Sequence, residues 1–334
     1  MTSVVYYRPA DMVGDLSLDS VTFAQMEVVR QWSRTEIVSD NAPSGASRTV
    51  EVREGSGFGK EAPPGGFLAA ELPGTVTSWK EYVDVGKSSS LSFKVSAFAL
   101  PLSFFMEASV AKVWSTLLAG DDLIEGSPYA DKLVGLSGND VFVGNGGGDL
   151  YVGGPGVDTV IYETNWGQFK KTVNVHDDDH VSVGADTLVD IERIYLTEGH
   201  KVIAFDSSGV CGQAYRVYQA AFGRAPDSKG LGYWIDRMDK GMSLEEVSAR
   251  FIDSPEFKAI YGTNPTNDEF LTRVYENVLH RAPDEAGFRW WKDQVDHNSE
   301  KTWAKVLADF SESPENHVNV VGQTSKGIEY DQWM

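Results

Sequence analysis

Between Leu117 and Ile161 the sequence runs in five consecutive nines, LLAGDDLIE, GSPYADKLV, GLSGNDVFV, GNGGGDLYV and GGPGVDTVI, each with aspartate at its sixth place. Asp122, Asp131, Asp140, Asp149 and Asp158 therefore stand nine apart, and the eighth places hold Ile124, Leu133, Phe142, Tyr151 and Val160. Glycine occupies the first place at Gly126, Gly135, Gly144 and Gly153, and the fourth at Gly120, Gly138, Gly147 and Gly156. A strict period of this length, with glycine in the turn and one apolar residue behind it, prescribes a stack of tight turns joined by short parallel strands, a β-roll.

The residue types point to the ligand. A six-residue turn that aims its carbonyl oxygens inward needs backbone angles open mainly to glycine. Calcium takes about 6–8 oxygen ligands at ~2.3–2.6 Å, which carbonyls and one carboxylate per turn can supply. Successive turns fall on opposite sides of a roll, so an ion lies between turns two apart. Asp122 is expected to work with Asp140, Asp131 with Asp149, and Asp140 with Asp158, giving two or three ions. Asp140 then serves two sites, whereas Asp131 and Asp149 serve one each. The candidate metal residues are the five aspartates with Gly120, Gly135, Gly138, Gly144, Gly147, Gly153 and Gly156. Leu117 and Leu118 replace the paired glycines of the first unit, and Tyr129 replaces the fourth-place glycine of the second. The best site is therefore expected between the third and fifth units.

Two further patterns invite a metal reading. Gly184-Ala-Asp-Thr-Leu resembles half a unit, but Asp186 stands 28 residues past Asp158, one out of phase, and reads as an ordinary turn. His176, Asp178 and His180 would share one face of a strand and could hold zinc. Such a run reads first as a solvated hairpin.

The remaining chain sets the organisation. Its 334 residues suggest two or three domains. Residues 1–116 are rich in Val, Thr, Ser and Gly. Alternating stretches such as Ser47–Arg53 and Ser90–Ser96 predict strands, a short helix is expected near Glu107–Leu117, and linker-like runs lie at 41–47 and 61–66. Residues 117–206 hold the repeat and trailing strands. From 207 to 320 the apolar spacing turns helical, with Asp227, Ser243-Leu-Glu-Glu and Ser254-Pro-Glu as start signals. This zone is duplicated. Val217 through Arg224-Ala-Pro-Asp, Gly230 and Trp234 recur 57 residues later as Val274 through Arg281-Ala-Pro-Asp, Gly287 and Trp291. Phe251-Ile-Asp-Ser-Pro-Glu recurs as Phe310-Ser-Glu-Ser-Pro-Glu. Each copy reads as a helix, a turn, a helix and a further helix ended by the Ser-Pro-Glu cap, with its Trp and Tyr stripe forming core. The fold class is α+β multidomain: a β-rich N-terminal domain, a short calcium-bearing parallel β-roll and a C-terminal all-α repeat domain.

The nonapeptides resemble the repeats-in-toxin (RTX) family. The helical pair, with Arg-x-Pro-Asp-x-x-Gly-x-x-x-Trp and Ser-Pro-Glu, resembles a helical domain of unknown function often found behind such repeats. The resemblance covers roughly residues 117–320. It implies export from a Gram-negative bacterium by type I secretion machinery, with residues 321–334 a C-terminal tail forming part of an uncleaved export signal. It also implies a roll that folds on external calcium.

Charge and motif content narrow the function. A net charge of −20 disfavours nucleic acid or an anionic membrane face as partner and favours cations. The lone Cys211 allows no intramolecular disulfide. The first residues show no basic-then-apolar leader, and the most apolar stretch, 97–106, is far short of the ~20 residues that cross a bilayer, so no membrane insertion is expected. No His-Glu-x-x-His or Gly-x-Ser-x-Gly string occurs, and residues 1–116 contain neither histidine nor cysteine. The expectation is not an enzyme. It is a secreted calcium-binding structural or adhesive surface protein, acting through self-association or cell-surface polysaccharide. The alternatives are a soluble calcium-binding effector, or an exoenzyme whose catalytic domain lies within residues 1–116.

Overall fold

The computed structural model describes residues 110–177 and 179–333, preceded by strand backbone at 3–6, 29–32, 37–39, 48–51, 55–56, 75–85 and 88–101. The linker-like runs at 41–47 and 61–66, and Asp178, lie outside the described residues. The chain divides into two compact units. The first is Met1–Tyr162, Lys171–Val173 and Asp179–Ile191; the second is Glu163–Lys170, Asn174–Asp178 and Glu192–Met334.

In the first unit, the two stretches expected as strands hold Arg48–Glu51 and Ser88–Pro101, and Thr75–Val85, not singled out in the sequence, pairs antiparallel with both. Ser3–Tyr6 pairs antiparallel with Ser88–Pro101 on one side. The helix expected near residue 110 spans Val110–Leu117. After it come four three-residue strands, β1 (Leu123–Glu125), β2 (Lys132–Val134), β3 (Val141–Val143) and β4 (Leu150–Val152), then β5 (Thr159–Asn165). They sort by parity. β1 pairs parallel with β3 and β3 with β5, while β2 pairs parallel with β4. Registers advance by 18 residues, Ile124 beside Phe142 beside Val160 and Leu133 beside Tyr151. These five eighth-place side chains are at most 2% exposed, so the alternation of strand faces puts them inside and gives this Gly-rich segment its core. The odd ladder continues at its first edge, where Ser3–Tyr6 pairs parallel with β1.

The even ladder also continues, against the sequence expectation. β6 (His180–Val183) and β7 (Asp186–Val189) form an antiparallel hairpin, and β7 pairs parallel with β4, Tyr151 opposite Leu188. Asp186 is therefore no ordinary turn residue: it takes the sixth place of a further unit of this ladder. The chain departs after Val160 and returns at Gly184, and the length of that excursion shifts the count out of the nine-residue phase without disturbing the ladder.

The second unit contains β8 (Arg193–Glu198), β9 (Lys201–Ala204) and β10 (Ile328–Asp331), successive antiparallel neighbours. Its helices are α1 (Val210–Phe222), α2 (Ser228–Asp239), α3 (Leu244–Asp253) and α4 (Pro255–Tyr261) in the first copy. The second copy holds α5 (Asn267–Leu279), α6 (Glu285–His297), α7 (Trp303–Ser311) and α8 (Pro314–Thr324). Each copy thus has four helices, one more than expected. Ser254 and Ser313 do not merely end a helix. Each caps the next one, accepting from the N–H of Phe257 at 3.1 Å and of Asn316 at 3.3 Å with proline in the first turn.

The recurrent signature residues are spent on this frame. Asp227 and Asp284 accept from the Gly230 and Gly287 N–H at 2.7 and 2.8 Å, and a Cβ at either glycine would press on that carboxylate. Arg224 holds Glu256 in a two-bond fork and Arg281 holds Glu315 likewise, tying the Arg-Ala-Pro-Asp turn to the Ser-Pro-Glu cap. Trp234 stacks edge-on against Phe251 and Trp291 lies against Phe310 with centroids 4.9 and 5.0 Å apart, in agreement with a core role for that stripe.

Candidate metal centre

Each repeat enters its strand through the aspartate, placing the carboxylate at the mouth of the turn. All five repeat aspartates are buried, with at most 3% of their surface exposed. The main-chain N–H of Asp122 donates to Oδ1 of Asp140 at 2.8 Å, and that of Asp140 to Oδ1 of Asp158 at 2.7 Å. On the even side the N–H of Asp131 donates to Oδ1 of Asp149 at 3.0 Å, and that of Asp149 to Oδ1 of Asp186 at 2.9 Å. The structure thus brings together the three pairs expected from the spacing and adds a fourth. Asp149 stands in the middle of its ladder just as Asp140 does, so the expectation that it has a single neighbour does not hold.

The glycines leave room for this. A Cβ on Gly135, Gly144 or Gly153 would collide with the carboxylate of Asp140, Asp149 or Asp158 of the same unit. Gly120, Gly138 and Gly156 stack as a column, in which a Cβ on Gly138 would strike the Gly120 carbonyl and one on Gly156 the Gly138 carbonyl. Gly147 sits over the Tyr129 carbonyl in the same way. Gly138 and Gly147 also have φ of 130° and 116°, a region closed to residues with a Cβ. The stacked turns therefore present main-chain oxygens beside buried carboxylates.

Buried polar atoms nearly always find a partner, and an ionised one without a partner is costly. Oδ2 of Asp140 is buried and accepts no hydrogen bond; the same holds for Oδ1 of Asp131. Burial pushes the Asp140 carboxyl up to about 6. The Asp122 N–H opposes this shift, and the charges of Asp122 and Asp121 add to it. Burial likewise pushes Asp149 up to about 6, against the Asp131 N–H and the Tyr151 hydroxyl and with the Asp186 and Asp131 charges. Asp131 is raised by burial and held back by Ser127. A hard cation with oxygen ligands fits such a place, since it supplies the positive charge that these carboxylates lack.

Among the described residues no three His, Cys, Asp or Glu side chains cluster to hold a metal ion, so a site here depends on main-chain oxygens. His176 and His180 are solvent-exposed, and their expected companion Asp178 is outside the described residues. Asp186 is the residue that the repeat count missed. Its signal was present in Gly184, Asp186 and Leu188, which match the fourth, sixth and eighth places of a unit.

Residues 214–258 and 248–320 match a domain of unknown function (DUF4214). Residues 118–151 and 125–160 match the RTX calcium-binding nonapeptide repeat, described as four copies. No curated protein matches the chain. The buried aspartate ladder coincides with the matched repeats, and the chain therefore carries RTX calcium-binding repeats, with Ca2+ as their cofactor, ahead of a duplicated DUF4214 region.

Proposed function

We propose that the chain is a secreted calcium-binding protein of the bacterial cell surface, structural or adhesive in role, whose two ladders form a parallel β-roll completed by calcium. The observation that carries the reading is Asp140: a fully buried carboxylate, central in its ladder, with one oxygen that accepts no hydrogen bond. Asp122, Asp140 and Asp158 would hold the ions together with main-chain oxygens of the Gly120, Gly138 and Gly156 column. A Gly-rich chain loses much conformational entropy on ordering, so the binding free energy of the ions becomes folding free energy.

Secretion fits this dependence. RTX-repeat proteins are typically exported from Gram-negative bacteria, and calcium is scarce inside cells and abundant outside. Type I machinery would pass the loosely structured acidic chain, which then folds on arrival. Each calcium offsets two of the 20 net negative charges and lowers self-repulsion as the roll becomes rigid. Among the described residues no helix is long and apolar enough to cross a membrane. Attachment would then rest on self-association or on surface polysaccharide, and no catalytic role is assigned.

The test is a calcium titration of purified protein followed by circular dichroism, with sedimentation and cell binding measured in calcium and in chelator. Calcium should sharpen and raise the melting transition, and the loaded form should assemble or bind cells. An unchanged spectrum and melting point would remove the calcium-folding reading. A loaded monomer that binds no cells would replace the surface role with that of a soluble effector.

A further inference from the structure

The odd and even sides of the stack differ in one chemical respect. Every even carboxylate receives a side-chain hydroxyl. Ser127 Oγ donates to Asp131 Oδ2 at 2.8 Å, the Tyr151 hydroxyl to Asp149 Oδ2 at 3.1 Å, and the Tyr162 hydroxyl to Asp186 Oδ2 at 2.7 Å. With Oδ1 of Asp149 and of Asp186 already accepting main-chain N–H groups, both oxygens of both carboxylates are engaged. The residues at the second and eighth places of the odd units are Leu118 and Ile124, Leu136 and Phe142, and Gly154 and Val160, none of which carries a hydroxyl.

Phe142 and Tyr151 form an internal control. They occupy the same place in adjacent units, are both buried, and meet edge-to-face with centroids 5.9 Å apart. The two side chains differ by one oxygen. Where it is present, the carboxylate two residues earlier is satisfied; where it is absent, Asp140 Oδ2 accepts nothing. The Tyr151 hydroxyl also fills the space beside Gly144, where a Cβ would collide with it, so it stands against the turn that a cation would have to share. Asp131 keeps one buried oxygen without a hydrogen bond, but its ladder neighbour Asp149 has none to offer.

We infer that the roll is loaded on one side only: calcium binds between the odd turns of Asp122, Asp140 and Asp158, while Tyr151, Tyr162 and Ser127 close the even turns by hydrogen bonds in place of ions. Three odd turns enclose two intervals, so two ions bind. The even side forms a calcium-independent spine on which the odd side is completed. This rests on the calcium-binding reading of the repeats and narrows it to named turns.

Calorimetric titration with calcium chloride, checked by native mass spectrometry of the full chain, reads the stoichiometry. The unmodified protein should take two ions. Asp149→Asn should still take two, whereas Asp140→Asn, at the shared odd position, should take one or none. Because an aspartate variant can fail to fold, Tyr151→Phe gives a second and opposite readout. Removing one oxygen turns the fourth unit into the chemical type of the third, and the count should rise to three. Loss of an ion in Asp149→Asn, with circular dichroism matching the unmodified protein, would overturn the inference, as would an unchanged count in Tyr151→Phe. No calcium uptake by the unmodified protein would overturn the parent reading instead, and the two failures are thereby told apart.

Discussion

Protons should substitute in part for calcium in the repeat, and the consequence is a reversed pH dependence of stability. Asp140 and Asp149 titrate near 6 in the folded turn, against an ordinary carboxyl value of 3.8 in the unfolded chain. Between pH 4 and 6 the folded state therefore holds protons that the unfolded chain has released, so stability falls as pH rises through that window and is lowest above it. At full weight each displacement is worth about 3 kcal/mol, and about half of it falls between pH 5 and pH 7.5, on the order of 3 kcal/mol for the pair. In a unit of this size that is about 6–12 °C in melting point. Carboxylates held low elsewhere, such as Asp227 and Asp284 on the N–H groups of Gly230 and Gly287, lose their contribution only below pH 4, whereas Asp131 and Asp206, also raised by burial, add to the slope in the same direction. The assay is thermal melting by circular dichroism in chelator at pH 5 and pH 7.5, for the unmodified protein and for Asp140→Asn/Asp149→Asn. The unmodified protein should melt higher at pH 5, and the double variant should keep only the smaller slope that Asp131 and Asp206 supply. Saturating calcium should remove the Asp140 share and leave that of Asp149. Identical pH profiles for the two proteins would refute the reasoning.

Three further outcomes follow from the packing. Gly147→Ala must hold φ of 116° and drive its Cβ into the Tyr129 main chain, so chemical denaturation should show a loss of more than ~2 kcal/mol. Gly146→Ala carries the same kind of backbone strain into open space and should lose less. Leu136 sits at φ of 75° where glycine is at ease; Leu136→Val, branched at Cβ, should cost about 1 kcal/mol more than Leu136→Gly in the same denaturation assay. Arg216 is 1% exposed and forks onto Glu312 at 2.8 and 2.6 Å, so Arg216→Ala should cost roughly 3–5 kcal/mol, while Arg281→Ala, at a half-exposed fork, should cost no more than about 1 kcal/mol.

The parallel ladders of the repeat were legible because their physics is local. A turn that must carry carbonyls inward and a strand that must bury one side chain write themselves at fixed places in every unit, and Asp122 with Asp140 could be paired from the period alone. Asp186 escaped the same logic, since a ladder constrains where a strand lies and not how much chain precedes it. The hydroxyls of Tyr151 and Tyr162 escaped for another reason. At the eighth place tyrosine and phenylalanine serve the core equally, and only the geometry shows one of them reaching back to a carboxylate.

In the helical copies, recurrence marks architecture. The arginine, aspartate, glycine and tryptophan of the signature each meet a partner within the fold, so their repetition reflects the need to build the same four-helix frame twice. The copies differ at other paired positions. Tyr233 and Trp290 are such a pair, 57 residues apart. Tyr233 is covered by Trp333 at 4.9 Å and by the Arg237 guanidinium at 5.1 Å, and Gly232 beside it lets the Asp331 carbonyl approach closely. Its counterpart Trp290 stays 52% exposed, and the glycine is replaced by Arg289, whose side chain is also largely in solvent. The first copy has used this face to seat the C-terminal strand β10, and the arginine of the second copy bars the same close approach.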